Sequence, residues 1–281
     1  MRPILKSPRI LRTGSPLALA AIQQVCPAVF AQQPHSSRGP RYRYVPTIEP
    51  LQALLDTGWG VYEASQQRSR AADRDPYTKH MLRLRKLEHF DVANWQRTGE
   101  GVPEVILTNA HDGTAAYHLR GGFFRFVCAN GMMVGTTIAG FTVRHTVSAQ
   151  TTAEVLDGCT RVVTESFPLM LDNIERFQRL TLDQTQQYRL AQRGMELRWG
   201  GRMAPITVDS LLTVRRPEDE QPTLWNVLNR VQEATLYGGW QTASLGYGRK
   251  SMVRPVERVS AVAAINGGLW DEALAIATEV A

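Results

Sequence analysis

From Gly60 to His145 the chain repeats one pattern: short segments of alternating residues, most of them closed by a compact turn. Strands joined that way pair antiparallel, because a parallel pair needs a crossover of a dozen or more residues. Gly60 to Arg70 alternates weakly and carries Tyr62, Ala64, Gln66, Arg68 and Arg70 on one face. Arg74-Asp75-Pro76 makes a turn. Thr78 to Lys86 alternates clearly, with His80, Leu82 and Leu84 on one side and Lys79, Met81, Arg83 and Arg85 on the other. Val102 to Asn109 is a third strand. Residues 111–135 then hold a His111-Asp112-Gly113 turn, an apolar run interrupted by Arg125, and a Cys128-Ala129-Asn130-Gly131 corner. Gly140 to His145 supplies a further strand.

Past Thr151 the period changes to three and four residues. Residues 152–192 read as one or two helices with Pro168 as the only breaker. A short helix follows at 208–214, then a helix over 222–236 with Leu224, Val227, Leu228 and Val231 on one face and Gly238-Gly239 ending it, and Trp270, Leu274 and Ile276 mark a closing apolar helix. Strands first and helices afterwards predict an α+β fold, a curved antiparallel meander packed by helices with a helical C-terminal part. The expected divisions are a basic N-terminal arm over 1–48, an α+β core over 49–200 and a mainly helical region over 201–281. Within the arm, Ser15-Pro16 is placed as the cap and first turn of a short helix over 15–31, and Ile48, Leu51, Leu54 and Leu55 predict another over 48–57.

Charge is unevenly placed. The net charge is +6, yet residues 1–48 alone contain Arg2, Lys6, Arg9, Arg12, Arg38, Arg41 and Arg43 with no acidic residue, so the rest is close to neutral. A secretory signal, an organellar transit peptide and a retained polyanion-binding arm all fit such a segment. Gln23 and Gln24 break the apolar run that a secretory signal needs, which favours the retained arm. No stretch approaches the roughly 20 apolar residues of a membrane span. Cys26, Cys128 and Cys159 are widely spaced and odd in number, so no disulfide framework is expected and a reducing cytoplasm is the simplest setting.

Several ordered pieces carry a resemblance. They are Pro27-Ala28-Val29-Phe30-Ala31, Arg41-Tyr42-Arg43-Tyr44-Val45-Pro46-Thr47, Thr78-Lys79-His80-Met81-Leu82-Arg83-Leu84-Arg85 and Asn109-Ala110-His111-Asp112-Gly113-Thr114. Phe124-Arg125-Phe126-Val127-Cys128-Ala129-Asn130-Gly131, Leu224-Trp225-Asn226, Asn229-Arg230-Val231-Gln232-Glu233 and Leu269-Trp270 continue the series. On these the chain resembles the phage- and plasmid-related family that is number 932 in the domain-of-unknown-function series. Gly267-Gly268, ahead of Leu269-Trp270, depart from the bulkier residues expected there and put the end of the last helix in doubt. The resemblance implies that the N-terminal segment is retained. It also implies a bacterial cytoplasmic protein of mobile elements, concerned with plasmid or phage DNA directly or through host factors. It implies no activity.

Three chemistries compete. His111-Asp112, with His80, His118 and His145, raises a metal site for a hydrolase of nucleic acid or nucleotides, but no metal-ligand spacing accompanies it. A His-Asp-Gly at a strand end is more often a turn. Cys128 as a nucleophile needs a base and an electropositive setting, whereas it falls on the face of Phe124 and Phe126. Nucleic-acid binding has more behind it. Lys79, Arg83 and Arg85 share one strand face, Arg68 and Arg70 join from the neighbour, and Arg125 lies away from the phenylalanines. Arg41 and Arg43 interleave with Tyr42 and Tyr44 as cations and rings do in single-strand binders. Arg215, Arg216, Arg249 and Lys250 extend the basic set. Partnering by Asp73, Asp75 and Glu88 would instead make these charges an ordinary solvated face. The expected function is non-catalytic binding of single-stranded DNA, for annealing or protection, without cofactor or membrane. At the level of fold alone, single-strand annealing proteins of mobile elements offer an analogy. An interaction module for a host defence or repair protein is the alternative, and self-association is left open.

Overall fold

The computed structural model describes residues 9–86, 101–125, 130–133, 140–143, 152–200, 202–242 and 251–280. The expected α+β class holds. Strands β1 (Arg9–Arg12), β2 (Trp59–Gln66), β3 (His80–Lys86), β4 (Gly101–Asn109) and β5 (Tyr117–Arg125) lie side by side in chain order. β7 (Gly140–Val143) pairs antiparallel with the first half of β5, and β6 spans Asn130–Met133. The meander is therefore antiparallel, with Arg9 opposite Gln66, Leu82 opposite both Ala64 and Leu107, and Tyr117 opposite Val143. A register shift between Val61 and Glu63 leaves Tyr62 as the extra residue of β2. Such a bulge re-aims a side chain, and here the Tyr62 ring meets the Arg85 guanidinium at 4.5 Å.

By compactness the chain divides into Met1–Phe124 with Ile138–Pro168, and Arg125–Thr137 with Leu169–Ala281. Residues 9–48 are built into the first unit and do not form a separate arm. β1 is a sheet strand, while Ile22, Cys26, Ala28, Val29, Val45 and Thr47 are fully or almost fully buried. The apolar side chains among them explain the difference, since a solvated arm would leave that surface in water. Helix α1 (Leu19–Val25) begins after Ala18, not at Ser15-Pro16, and a 3-10 turn at Pro27–Phe30 follows it. Helix α2 (Ile48–Asp56) buries Leu51 and Leu54 at the expected helical spacing.

Helix α3 (Thr152–Arg161) continues through a π-helical stretch, Val162–Ser166, into α4 (Phe167–Arg179). Pro168 does not end this run; it is the second residue after the π stretch, so the carbonyl four residues back lies inside that stretch. Proline removes a helical donor, and a π bulge absorbs the misfit.

In the second unit, α5 (Gln184–Trp199) starts in a reciprocal capping box between Asp183 and Gln186, with bonds of 2.8 and 2.9 Å, and stops at left-handed Gly200. After the short α6 (Val208–Leu212), helix α7 (Leu224–Tyr237) is buried over almost its whole length, Leu224 to Leu236. A helix covered on every side is the centre of its unit. Helix α8 (Val259–Val280) packs against α5 and α7, and Gln232 of α7 donates to Asn266 of α8 at 2.8 Å. The Gly267-Gly268 pair does not shorten α8. A Cβ at Gly268 would stand 2.6 Å from Leu197 Cδ2, so the missing side chain is what lets α5 approach. Trp270 is fully buried beside Phe177 at 5.2 Å. Among the described residues no helix is long and apolar enough to cross a membrane.

Candidate nucleic-acid interface

An antiparallel meander sends alternate connections to the same end. The β2–β3 turn (67–79) and the β4–β5 turn (110–116) therefore emerge together, and the start of β1 lies beside them. The segment after α1 crosses this end. His35 N–H donates to His111 O at 3.0 Å, Tyr42 Oη donates to Ala110 O at 3.0 Å, and His35 Nε2 lies 3.3 Å from Asp73 Oδ2. One end of the sheet thus gathers Arg38, Arg41, Arg43, Arg68, Arg70, Arg74 and Lys79 from segments distant in sequence. Arg41, Arg43, Arg68 and Arg70 are exposed, whereas Arg38, Arg74 and Lys79 are half-buried.

Two acids at this end are engaged locally. Asp75 pairs with Arg9 at 2.9 Å and accepts from the Ser69 N–H at 2.8 Å. Asp112 is buried and accepts from Thr114 N–H at 3.0 Å and Thr114 Oγ1 at 2.6 Å, closing the His-Asp-Gly turn locally.

Beneath the basic end lies a buried polar knot. The Nδ1 of His80 is 3.1 Å from Thr78 O, so it carries the proton, and Nε2 accepts from Thr47 Oγ1 at 2.9 Å. The Thr47 oxygen in turn accepts from Asn109 Nδ2 at 3.0 Å and faces His111 Nε2 at 3.3 Å. The two imidazoles are 5.2 Å apart, and the Tyr44 ring is 5.0 Å from His111. One hydroxyl therefore ties α2's entry to β3 and to the end of β4. Thr47→Val keeps the shape but leaves these buried groups short of a partner, at a cost of about 1–3 kcal/mol. Urea unfolding is the check, and an unchanged midpoint would contradict the knot's structural role.

This geometry also places the metal candidates. Both ring nitrogens of His80 are engaged, and the Asp112 carboxylate serves its own turn. Among the described residues no group of three His, Cys, Asp or Glu side chains could hold a metal ion. Cys128, Phe126, His145, Glu88, Arg249 and Lys250 lie outside the described residues. Cys26 and Cys159 are buried thiols, and burial pushes Cys159 up to about 12, far from a nucleophilic thiolate.

Four expected binding residues are turned into the fold. Arg83 and Arg85 do not project from a solvated face; each is almost wholly buried, and both pair with Glu104 of β4. The Arg83 Nε meets one carboxylate oxygen, and Arg85 Nη2 meets the other at 3.0 Å. Arg85 also lies 3.5 Å from the centre of the Phe124 ring, and burial lowers its pKa against the opposing pull of Glu104. Arg125 is buried too, with Nη1 at 2.7 Å from Asp219 Oδ1. A guanidinium so placed has exchanged water for a carboxylate and cannot also meet a phosphate. Tyr44 turns inward, its hydroxyl donating to Ala31 O and its ring against His111. In the other unit, Arg216 is bidentate with Glu233 at 3.0 Å, and Arg215 donates to Gly238 O and lies over Trp240 at 3.9 Å.

Arg38 and Arg74 were not among the expected binding residues. Their signal was present as basic residues in loops that also hold Gly39-Pro40 and Asp75-Pro76, but no strand face linked them to the others. Arg38, Gly39, Pro40, Arg41 and Tyr42 line an open depression of about 410 Å³ at this end.

The model of the family described as domain of unknown function (DUF932) matches residues 34–265. Two proteins of Escherichia coli strain K12, UPF0380 protein YafZ and UPF0380 protein YfjQ, are each 34% identical over 271 residues. In both cases the match covers 96% of this chain and 95% of the relative. No solved structure matches the chain.

Proposed function

The chain belongs to the DUF932 family, and since that description carries no activity, we propose from its own residues that it binds single-stranded DNA through the basic end of its sheet. The observation that carries this reading is the convergence of Arg38, Arg41, Arg43, Arg68, Arg70, Arg74 and Lys79 from two segments distant in sequence, 38–43 and 67–79, beside Asp75 and Asp112, which are engaged locally. Clustered cations release counterions from a phosphate backbone, which supplies sequence-independent affinity. Binding without catalysis suits a protein that covers or anneals an incoming plasmid or phage strand in the bacterial cytoplasm, the setting that the family resemblance implies. Arg83, Arg85 and Arg125 belong to the scaffold in this proposal, and the exposed loop arginines replace them.

Titration of the full chain into a fluorescent oligothymidylate at rising salt tests it. Affinity is expected to fall linearly on a log–log plot, and Arg41→Ala with Arg68→Ala to lower the slope by about 0.7 per charge removed. Absence of binding at ~50 mM salt with protein in large excess would overturn the proposal. Recovery of one protein partner from a nuclease-treated bacterial lysate, alongside that negative result, would favour an interaction module.

A further inference from the structure

We propose that the depression walled by Arg38, Gly39, Pro40, Arg41 and Tyr42 seats one unpaired nucleotide, with its phosphate on the two guanidiniums and its base on the Tyr42 ring. This rests on the DNA-binding reading and adds where preference for a single strand comes from.

The size fits. The depression is open to solvent, and its volume of about 410 Å³ lets a single nucleotide lie against its wall. The chemistry of the wall fits as well. Arg38 is held in place from two sides. Its Nη2 and Nε reach Ser37 Oγ at 3.1 and 3.4 Å, and its guanidinium lies over Gly113. Gly113 has a φ of +80°, and a Cβ there would stand 2.4 Å from Arg38 Nη1. The His-Asp-Gly turn therefore leaves open the space that the guanidinium occupies. Arg41 is exposed on the same wall. Planar guanidiniums offer a phosphate paired donors, which a lysine does not.

Tyr42 supplies the remaining wall. Its hydroxyl donates to Ala110 O at 3.0 Å, which fixes the ring against the sheet's end. Burial first, then the charge of Asp112, raise its phenol pKa, while Arg38 opposes them, so the group remains a neutral donor. The opposing charge of Asp112 acts on this ring, and its carboxylate is buried and accepts from Thr114. In a duplex both faces of a base are covered by its neighbours. Stacking on Tyr42 therefore requires an unpaired base, and such stacking is sequence-tolerant.

The experiment compares the full chain's affinity for a short oligothymidylate and for the same strand annealed to oligoadenylate, at low salt. The unsubstituted protein is expected to favour the single strand by roughly tenfold. Tyr42→Phe, which keeps the ring, retains that preference; Tyr42→Leu removes it while duplex binding stays. A second measurement uses the unsubstituted protein, so it does not depend on how the variants fold. Thymidine 5′-monophosphate is expected to protect Arg38 and Arg41 from phenylglyoxal, read by peptide mass, where thymidine alone does not. Salt-dependent binding in which Tyr42→Leu keeps the single-strand preference, or equal arginine modification with and without the nucleotide, overturns the nucleotide seat and leaves DNA binding standing. Failure of both oligonucleotides to bind overturns the underlying reading and the seat together.

Discussion

Glu104→Ala is expected to destabilise the protein by about 3–5 kcal/mol, the usual cost of leaving a buried charge without its partner. Glu104 is fully buried and is the carboxylate shared by Arg83 and Arg85, themselves 2% and 3% exposed. Removing it leaves two guanidiniums in a site that excludes water, one of them wedged between the rings of Tyr62 and Phe124. The measurement is urea unfolding followed by circular dichroism, with Glu104→Gln as the variant that keeps polar atoms and loses charge. A midpoint for Glu104→Ala that implies less than about 0.5 kcal/mol of change would sink the assignment. The same geometry bears on any binding study. Arg83→Ala or Arg85→Ala will lower DNA binding only as far as it lowers the folded fraction, so such a loss reports on the scaffold.

In the other unit, Asp219→Ala is expected to cost a similar amount, again about 3–5 kcal/mol. Asp219 closes the 3-10 turn Pro217–Asp219 ahead of α7, and its side chain is 3% exposed against 1% for Arg125. The bond to Arg125 Nη1 at 2.7 Å joins the end of β5 to that turn. Its negative charge also supports the partly buried Arg230 of α7, whose pKa burial otherwise lowers. Removing the carboxylate therefore unsettles two guanidiniums in one region. Thermal unfolding of Asp219→Ala beside Asp219→Asn gives the test. A transition unchanged in both would show that Arg125 is satisfied without its partner. Combining Asp219→Ala with Arg125→Met should recover much of the loss, because an apolar side chain of similar length leaves no orphaned charge.

Part of this architecture is legible residue by residue. The alternation of His80, Leu82 and Leu84 against Met81, Arg83 and Arg85 does mark β3, and the spacing of Ile48, Leu51, Leu54 and Leu55 does mark α2. The helix expected over 222–236 is α7, which Thr223 caps, with the Asn226 N–H 3.2 Å from its Oγ1, and which positive-φ Gly238 ends. Period and cap chemistry are local, so a single sequence carries them. Other features stayed hidden because they depend on partners far along the chain. Period two separates the faces of β3 but does not say whether each face meets water. Glu104 of the neighbouring strand pairs with the arginines of one of them, through a register that the strand's own period does not carry. The π stretch that absorbs Pro168 had no sequence signal of its own.

The chain's own residue order was enough for the α+β class, the antiparallel meander, the helical C-terminal part and the family, because hydrophobic period, turn chemistry and short motifs all act over a few residues. Which arginines keep their water was decided only in three dimensions. Two arginines on β3 and one on β5 pair with carboxylates inside the fold, where desolvation is offset by Glu104 and Asp219. Arginines in turns, Arg38 and Arg74 together with the expected Arg41, Arg43, Arg68 and Arg70, are carried to one end of the sheet by its topology and remain at or near the surface. Charge is a property of the residue, but its availability to a ligand is set by what packs over it.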